Sequence, residues 1–139
     1  MTYEAILITE TAPPTPFTVA VGTGIEKGAL CTLSDYKTAA LATTRNTMFA
    51  GITASEKIAD DGITTLGLYR QGIFKVYLSG AVSVGQALAL GVIAGYPNYV
   101  ERAGVALSGG ATIGLALEDG GAGHQILMEL RPGVGSSIT

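Results

Sequence analysis

The chain has 139 residues, of which 47% are hydrophobic and only 14% charged, with a net charge of −3. That fits one domain with a moderate core and excludes a disordered tail. A surface so poor in charge must be covered by Thr, Ser, Gly and Ala, and a mean hydropathy of +0.42 points to partial burial in an assembly.

The eight Lys and Arg residues are scattered singly along the sequence, with no basic stripe to neutralise phosphates, so no direct nucleic-acid partner is expected. The single Cys31 rules out an intrachain disulfide and a multi-cysteine zinc site, and reads as a small hydrophobe inside a strand. The N-terminus lacks a basic leader region, and no run reaches the roughly 18 apolar residues of a membrane span. The expectation is a soluble chain, made in a cytoplasm, with no membrane partner.

Residues 1–19 hold three of the five prolines, in ETAPPTPF. Proline fixes φ and lacks a ladder donor, so this stretch is expected to be extended, outside any central strand, as an arm leading into a strand over residues 17–21. Next comes VGTGIEKG, a G-x-G-x-x-x-G run ending at Gly28. A dinucleotide loop needs a helix after it, whereas Gly28 leads into ALCTLSDY, which alternates like a strand. A turn at Ser34–Asp35, a polar strand over 36–43 and a strand over 48–53 follow. The best helical candidate is residues 54–60, ASEKIAD, barely two turns long. Strands are predicted over 64–69 and 73–78, the latter with Phe74, Val76 and Leu78 on one face.

The stretch VSVGQALAL, from Val82 to Leu90, then repeats IEKGALCTL, from Ile25 to Leu33. Both place an apolar residue three before a glycine, Gly28 or Gly85. After the second copy come a turn near residues 91–95, a strand over 99–103 and one over 111–116, so that Gly114 matches Gly51. Two copies are too few for a solenoid, which needs about three, and read as two related lobes of one barrel or sandwich. A last strand covers 126–130. The predicted fold is all-β, a small β-barrel or sandwich (β-tulip-like) built from two related hairpin lobes, with an extended Pro-rich N-terminal arm (1–19), a barrel domain (20–131) and a flexible tail (132–139).

The catalytic inventory is nearly empty. His124 stands in a glycine-rich loop near Glu118 and Asp119, without further ligands for a metal. Asp60-Asp61-Gly62 lacks the alternating oxygens of a calcium loop and reads as a turn. Cys31 has no neighbouring base in sequence, and no serine occupies a nucleophile elbow. Asp35, Glu56, Glu101 and Glu129 would have to pair across the fold for glycoside chemistry, and there is no Trp to form a sugar platform. No cofactor, metal or enzymatic activity is expected.

Residues 72–90 (GIFKVYLSGAVSVGQALAL), 111–119 (ATIGLALED) and 123–130 (GHQILMEL) together resemble the small capsid decoration, or cement, proteins of tailed bacteriophages and related HK97-like viruses, which share a layout of a strand, V-x-x-G-x-x-V, then I-G-x-A-L-E. The resemblance covers residues 20–131 and implies a β-rich, often trimeric protein on the outer capsid surface of the virion, fastening neighbouring capsomers, with the major capsid protein and copies of itself as partners. It turns the Pro-rich arm into a strap, with Tyr3, Pro13, Pro14, Pro16 and Phe17 as its capsid or subunit contacts. A second function is a carbohydrate-binding or head-fibre domain displayed on the virion, stacking sugars on Tyr36, Tyr69, Tyr77, Tyr96 and Tyr99.

Overall fold

Alternating burial sets the frame of the molecule. In the strand Gly72–Leu78, Phe74, Val76 and Leu78 are buried while Ile73, Lys75 and Tyr77 are half-covered, as the two-residue period of a strand dictates. The computed structural model describes residues 3–43, 48–92, 98–103 and 112–132. Its elements are β1 (Ile6–Thr9), β2 (Thr15–Thr18), β3 (Leu30–Asp35), β4 (Thr38–Leu41), β5 (Phe49–Thr53), β6 (Thr65–Tyr69), β7 (Gly72–Leu78), β8 (Ala87–Leu90), β9 (Tyr99–Arg102), β10 (Thr112–Ala116) and β11 (Gln125–Leu130). Tyr96, most of the predicted tail (133–139) and most of the predicted turn at 91–95 lie outside the described residues.

The strands close into two barrels of five. The first runs β2-β4-β3-β5-β6, and the second β7-β11-β10-β8-β9, closed by a β7–β9 pairing and carrying β1 outside β7. The two follow one plan. A parallel seam joins the first strand to the third in each, Thr18 to Thr38 and Tyr77 to Tyr99. The fifth strand returns antiparallel to the first, β6 to β2 and β11 to β7. Between strands, Ile25 bridges Lys57 as Val82 bridges Gly120. Main-chain bonds recur too: Gly28 N–H donates to Thr53 O at 3.0 Å and Gly85 N–H to Ala116 O at 2.8 Å. The duplicated unit is therefore a whole barrel, not one lobe of a shared barrel, because each copy includes the strand that closes it.

The matching glycines have matching reasons. Gly28 and Gly85 both take left-handed backbone, with φ of 78° and 86°, which glycine adopts without steric penalty. Gly51 and Gly114 sit under a neighbouring strand. A Cβ at Gly51 would lie 2.7 Å from Tyr69 O, and one at Gly114 would strike the Glu129 carbonyl.

Two readings of the sequence are corrected. Residues 54–60 form no helix: Lys57 N–H donates to Ile25 O at 2.7 Å and Ile25 N–H to Lys57 O at 2.9 Å, a pairing that needs extended backbone. Of the expected arm (1–19), the described residues form two strands with a bend at 11–12 between them, and no free arm. β1 pairs with β7, and β2, proline included, lies between β4 and β6. The ladder tolerates Pro16 because of phase. Thr18 N–H points outward to Lys37 O, and Val19 N–H inward to Thr64 O, so positions 14 and 16 share the outward phase of Thr18. Beyond Thr18 β4 makes no pairing, and both outward positions there are proline. No donor is lost from the ladder.

The main core spans both barrels, joining Leu30, Phe49 and Ile52 of the first to Phe74, Val76, Leu88, Ile113 and Met128 of the second. A smaller core of Phe17, Val19, Ile25, Cys31, Ala50 and Leu68 fills the first barrel. Strand β5 is buried at every position, since one face lines its own barrel and the other packs on the second.

Asn98 locks this arrangement. It precedes β9, is 6% exposed, and has φ of 62°, a conformation asparagine tolerates better than most residues. Leu30 N–H donates to its Oδ1 at 2.7 Å, while its Nδ2 donates to Tyr3 O at 2.7 Å and Gly28 O at 3.0 Å. Asn98→Ala would leave the buried Leu30 N–H and the Tyr3 carbonyl without that partner, each worth about 1–3 kcal/mol when stranded, while Gly28 O would keep Ala5 N–H. Urea denaturation should show a loss of about 3 kcal/mol, against well under about 1 kcal/mol for a surface control such as Thr65→Ala.

Candidate functional site

The groups singled out in the sequence that fall within the described residues have defined places, and several hold main chain. Lys57 is 1% exposed, carried to the end of the first barrel by its bridge to Ile25. Its Nζ donates to Val21 O at 2.7 Å, Thr23 O at 3.0 Å and Ile58 O at 3.3 Å, and lies 3.5 Å from Asp61 Oδ1. Sequence reasoning missed this plug: a lone lysine in a polar segment carries no signal of burial. Asp61 is a turn residue, as read from Asp60-Asp61-Gly62. Its carboxylate accepts the N–H of Ile63 at 2.9 Å and of Ile58 at 3.0 Å. The Ile63 bond above all, with the Ile58 bond and Lys57, holds its pKa below the ordinary 3.8. Around this network Val21, Ile58 and Ile63 expose apolar side chains.

His124 is exposed, its Nδ1 accepting the Gly121 N–H at 3.4 Å. The nearby carboxylates serve the backbone: Leu127 N–H donates to Glu118 Oε2 at 2.8 Å, and Val84 N–H to Asp119 Oδ1 at 2.7 Å. Among the described residues, no three His, Cys, Asp or Glu side chains gather where a metal could be held. The four carboxylates considered for glycoside chemistry are spread over both barrels. Asp35 accepts the Tyr36 N–H at the end of β3, Glu56 is exposed beside Lys57, Glu101 lies on β9, and Glu129 on β11 pairs with Arg131 at 3.6 Å. Gly28 opens a strand, so the phosphate-loop reading fails on structure too. Cys31 lies in β3, fully buried, and burial pushes its thiol up to about 12.

The tyrosines divide among three places. Tyr3, Tyr77 and Tyr99 pack on one another, with ring centroids 4.9 to 5.8 Å apart. Tyr69 stacks edge-on against Phe74 at 5.6 Å and donates to Glu10 Oε1 at 2.9 Å, a bond that raises its pKa. Tyr36 stands alone on the β3–β4 turn, 85% exposed. No flat row of rings unites these described tyrosines. Of the expected strap contacts, Phe17 is 6% exposed and sealed in the first barrel's core, and Tyr3 is held by Asn98 and by ring packing. Pro14 is half-covered, and Pro13 and Pro16 face solvent. The expected anchors are thus partly internal, because the segment folds into its own barrels.

Three shallow clefts lie among the described residues. One of about 290 Å³ lies where β7 and β11 end, between Thr11, Gln71, Glu129 and Arg131. A second, about 260 Å³, separates residues 4–7 from Lys27, Ala54 and Tyr69. The third, about 280 Å³, is an open groove lined by Pro16, Phe17, Thr18, Tyr36, Lys37 and Thr65.

Two measurements check these assignments. Asp61 has a folded pKa below its unfolded value, so its contribution is present above pH 3.8 and is lost as pH falls through the folded pKa. Asp61→Asn should flatten the acid limb of the stability curve below about pH 4, while Lys57→Met, which removes the buried ammonium's bonds to three part-buried carbonyls, should lower stability by about 2 kcal/mol at neutral pH. Cys31 should resist a thiol reagent in the native state at pH 8 and react stoichiometrically once the chain is unfolded; fast native labelling would contradict its burial.

No protein-family model matches the chain, and no curated protein sequence matches it. Among solved structures, it is similar to the crystal structure of the head fiber gp8.5 N base in bacteriophage phi29, with a TM-score of 0.55 and 15% sequence identity over 85% of this chain and 94% of that one. At that identity the likeness shows a common all-β fold.

Proposed function

We propose that this chain is a non-enzymatic structural protein of a bacteriophage virion, attached to the outside of the head through the major capsid protein. The observation that carries the reading is the likeness to a head-fibre base over 85% of the chain, and it favours a fibre-base role. The use of Asp61, Glu118 and Asp119 to hold loop backbone, rather than to meet in a cleft, supports a scaffold over a catalyst.

A cement role is the second reading, favoured by the resemblance of residues 72–90 and 111–119 to capsid decoration proteins. Both roles need many copies on a repeating shell, where modest single contacts add through avidity. A surface with 14% charged residues suits burial in such an assembly. Pro13 and Pro16 are the members of the expected strap open to a partner. Sugar recognition is less well supported, since the described tyrosines stack on one another or stand apart.

Purified protein incubated with undecorated, expanded capsids should cosediment with them. Failure to bind at every salt concentration and maturation state overturns the proposal. Capsid melting then separates the two roles: a raised capsid transition upon binding marks a cement protein, and an unchanged one a fibre base.

A further inference from the structure

The two barrels pack head to tail, and that packing leaves one copy of each contact face unused. The tail face of the first barrel is the turn at Gly28. Glu4 and Ala5 cover it, with Ala5 N–H donating to Gly28 O at 3.0 Å, and the Asn98 carboxamide of the second barrel reaches Gly28 O and Leu30 N–H. Residues 28–30 are buried as a result.

The second barrel has the same turn at Gly85, with the same left-handed backbone, and no side chain among the described residues covers it. Gly85 is exposed, and a Cβ built there meets no atom within 4 Å. Two of the side chains around it are more apolar than their counterparts. In the repeat register Val84 replaces Lys27 and Leu117 replaces Ala54, and they are 61% and 39% exposed. The uncovered turn thus carries two exposed apolar side chains, Val84 and Leu117.

The unused head lies at the other end of the chain. Asn98 sits immediately before β9 with φ of 62°, and its counterpart Lys37 sits immediately before β4 with φ of 45°. Beside Lys37, Tyr36 is 85% exposed, at the mouth of the 280 Å³ groove that Pro16 and Phe17 also line. Charge is complementary as well. Lys37 is cationic, and Glu118 and Asp119 flank Val84, held there by bonds to Leu127 N–H and Val84 N–H.

We propose that the face formed by Val84, Gly85 and Leu117 binds a second copy of this chain, which presents its Tyr36–Lys37 turn and so repeats between molecules the contact that joins the two barrels within one. The contact is heterologous: each molecule offers one head and one tail, so association closes a ring or extends a filament according to the rotation between copies. The intermolecular version lacks a counterpart of β1, since the corresponding edge of β2 is closed by proline, so it is weaker than the internal one. The proposal rests on the duplication alone, and capsid binding plays no part in its test.

Light scattering on the full chain, without capsids, over a dilution series tests it. The wild type should gain mass with concentration. Val84→Asp and Leu117→Glu, on one face, and Tyr36→Ser, on the other, should each weaken association at least tenfold while melting like the wild type, because all three side chains are exposed. An equimolar mixture of Tyr36→Ser with Val84→Asp keeps one intact tail and one intact head, and should form a species of two chains that grows no further. A wild type that stays monomeric at millimolar concentration overturns the proposal. So does association that survives substitution on either face, or a mixture that remains monomeric.

Discussion

The Asn98 carboxamide is the point at which three separate parts of the chain meet. One amide group accepts from Leu30 N–H and donates to Tyr3 O and Gly28 O, so that the N-terminal segment, the first barrel and the second barrel share a single buried polar centre. Such a centre is stable only when every member is satisfied. That requirement fixes how the barrels sit. A small rotation between them would strand an amide hydrogen or a carbonyl in the core, at a penalty that apolar packing alone would not impose. The hydrophobic surface that spans both barrels, from Leu30, Phe49 and Ile52 to Phe74 and Met128, supplies the attraction, and Asn98 supplies the register.

The duplication was legible in the sequence where backbone geometry leaves no choice. Gly28 and Gly85 need left-handed φ, and Gly51 and Gly114 need room for a neighbouring carbonyl, so both pairs of glycines persist while the residues around them differ. The alternating runs made an all-β fold readable for the same reason. What could not be read was which strand closes each barrel, because the return of β6 to β2 and of β11 to β7 depends on partners far apart in sequence. Lys57 was equally hidden. Its burial follows from three carbonyls converging at the end of a barrel, and at the matching place in the second barrel stands Gly120, where a Cβ would meet Ile126 and Leu78 instead.

The proline-rich start illustrates how a sound rule misleads when phase is ignored. Proline removes a donor from a ladder only if that donor points at a partner. In β2 the outward positions beyond the seam have no partner strand, so Pro14 and Pro16 cost no hydrogen bond. They also leave that edge unable to pair with another strand. In the second barrel, Ile73 and Lys75 on β7 hold β1 on the equivalent edge. One site in the common plan thus accepts a strand in one copy and refuses it in the other, by a change of residue type alone.

A duplicated fold whose halves pack asymmetrically has an unavoidable consequence. If the tail of one unit binds the head of the next, the last tail and the first head stay open, and selection must either make them polar or give them something to bind. Here each keeps exposed apolar side chains beside its charges. Val84 and Leu117 stand where the covered copy has Lys27 and Ala54, and Tyr36 projects from the turn that corresponds to Asn98. In a protein with so few charges, that placement of apolar side chains ties the composition of the chain to its architecture: part of the exposed apolar surface, at Tyr36, Val84 and Leu117, lies on the faces that the repeat itself defines as contacts. A role on a shell of many identical subunits would use such faces directly, since neighbouring copies are held close by the lattice beneath them and a weak lateral contact then suffices.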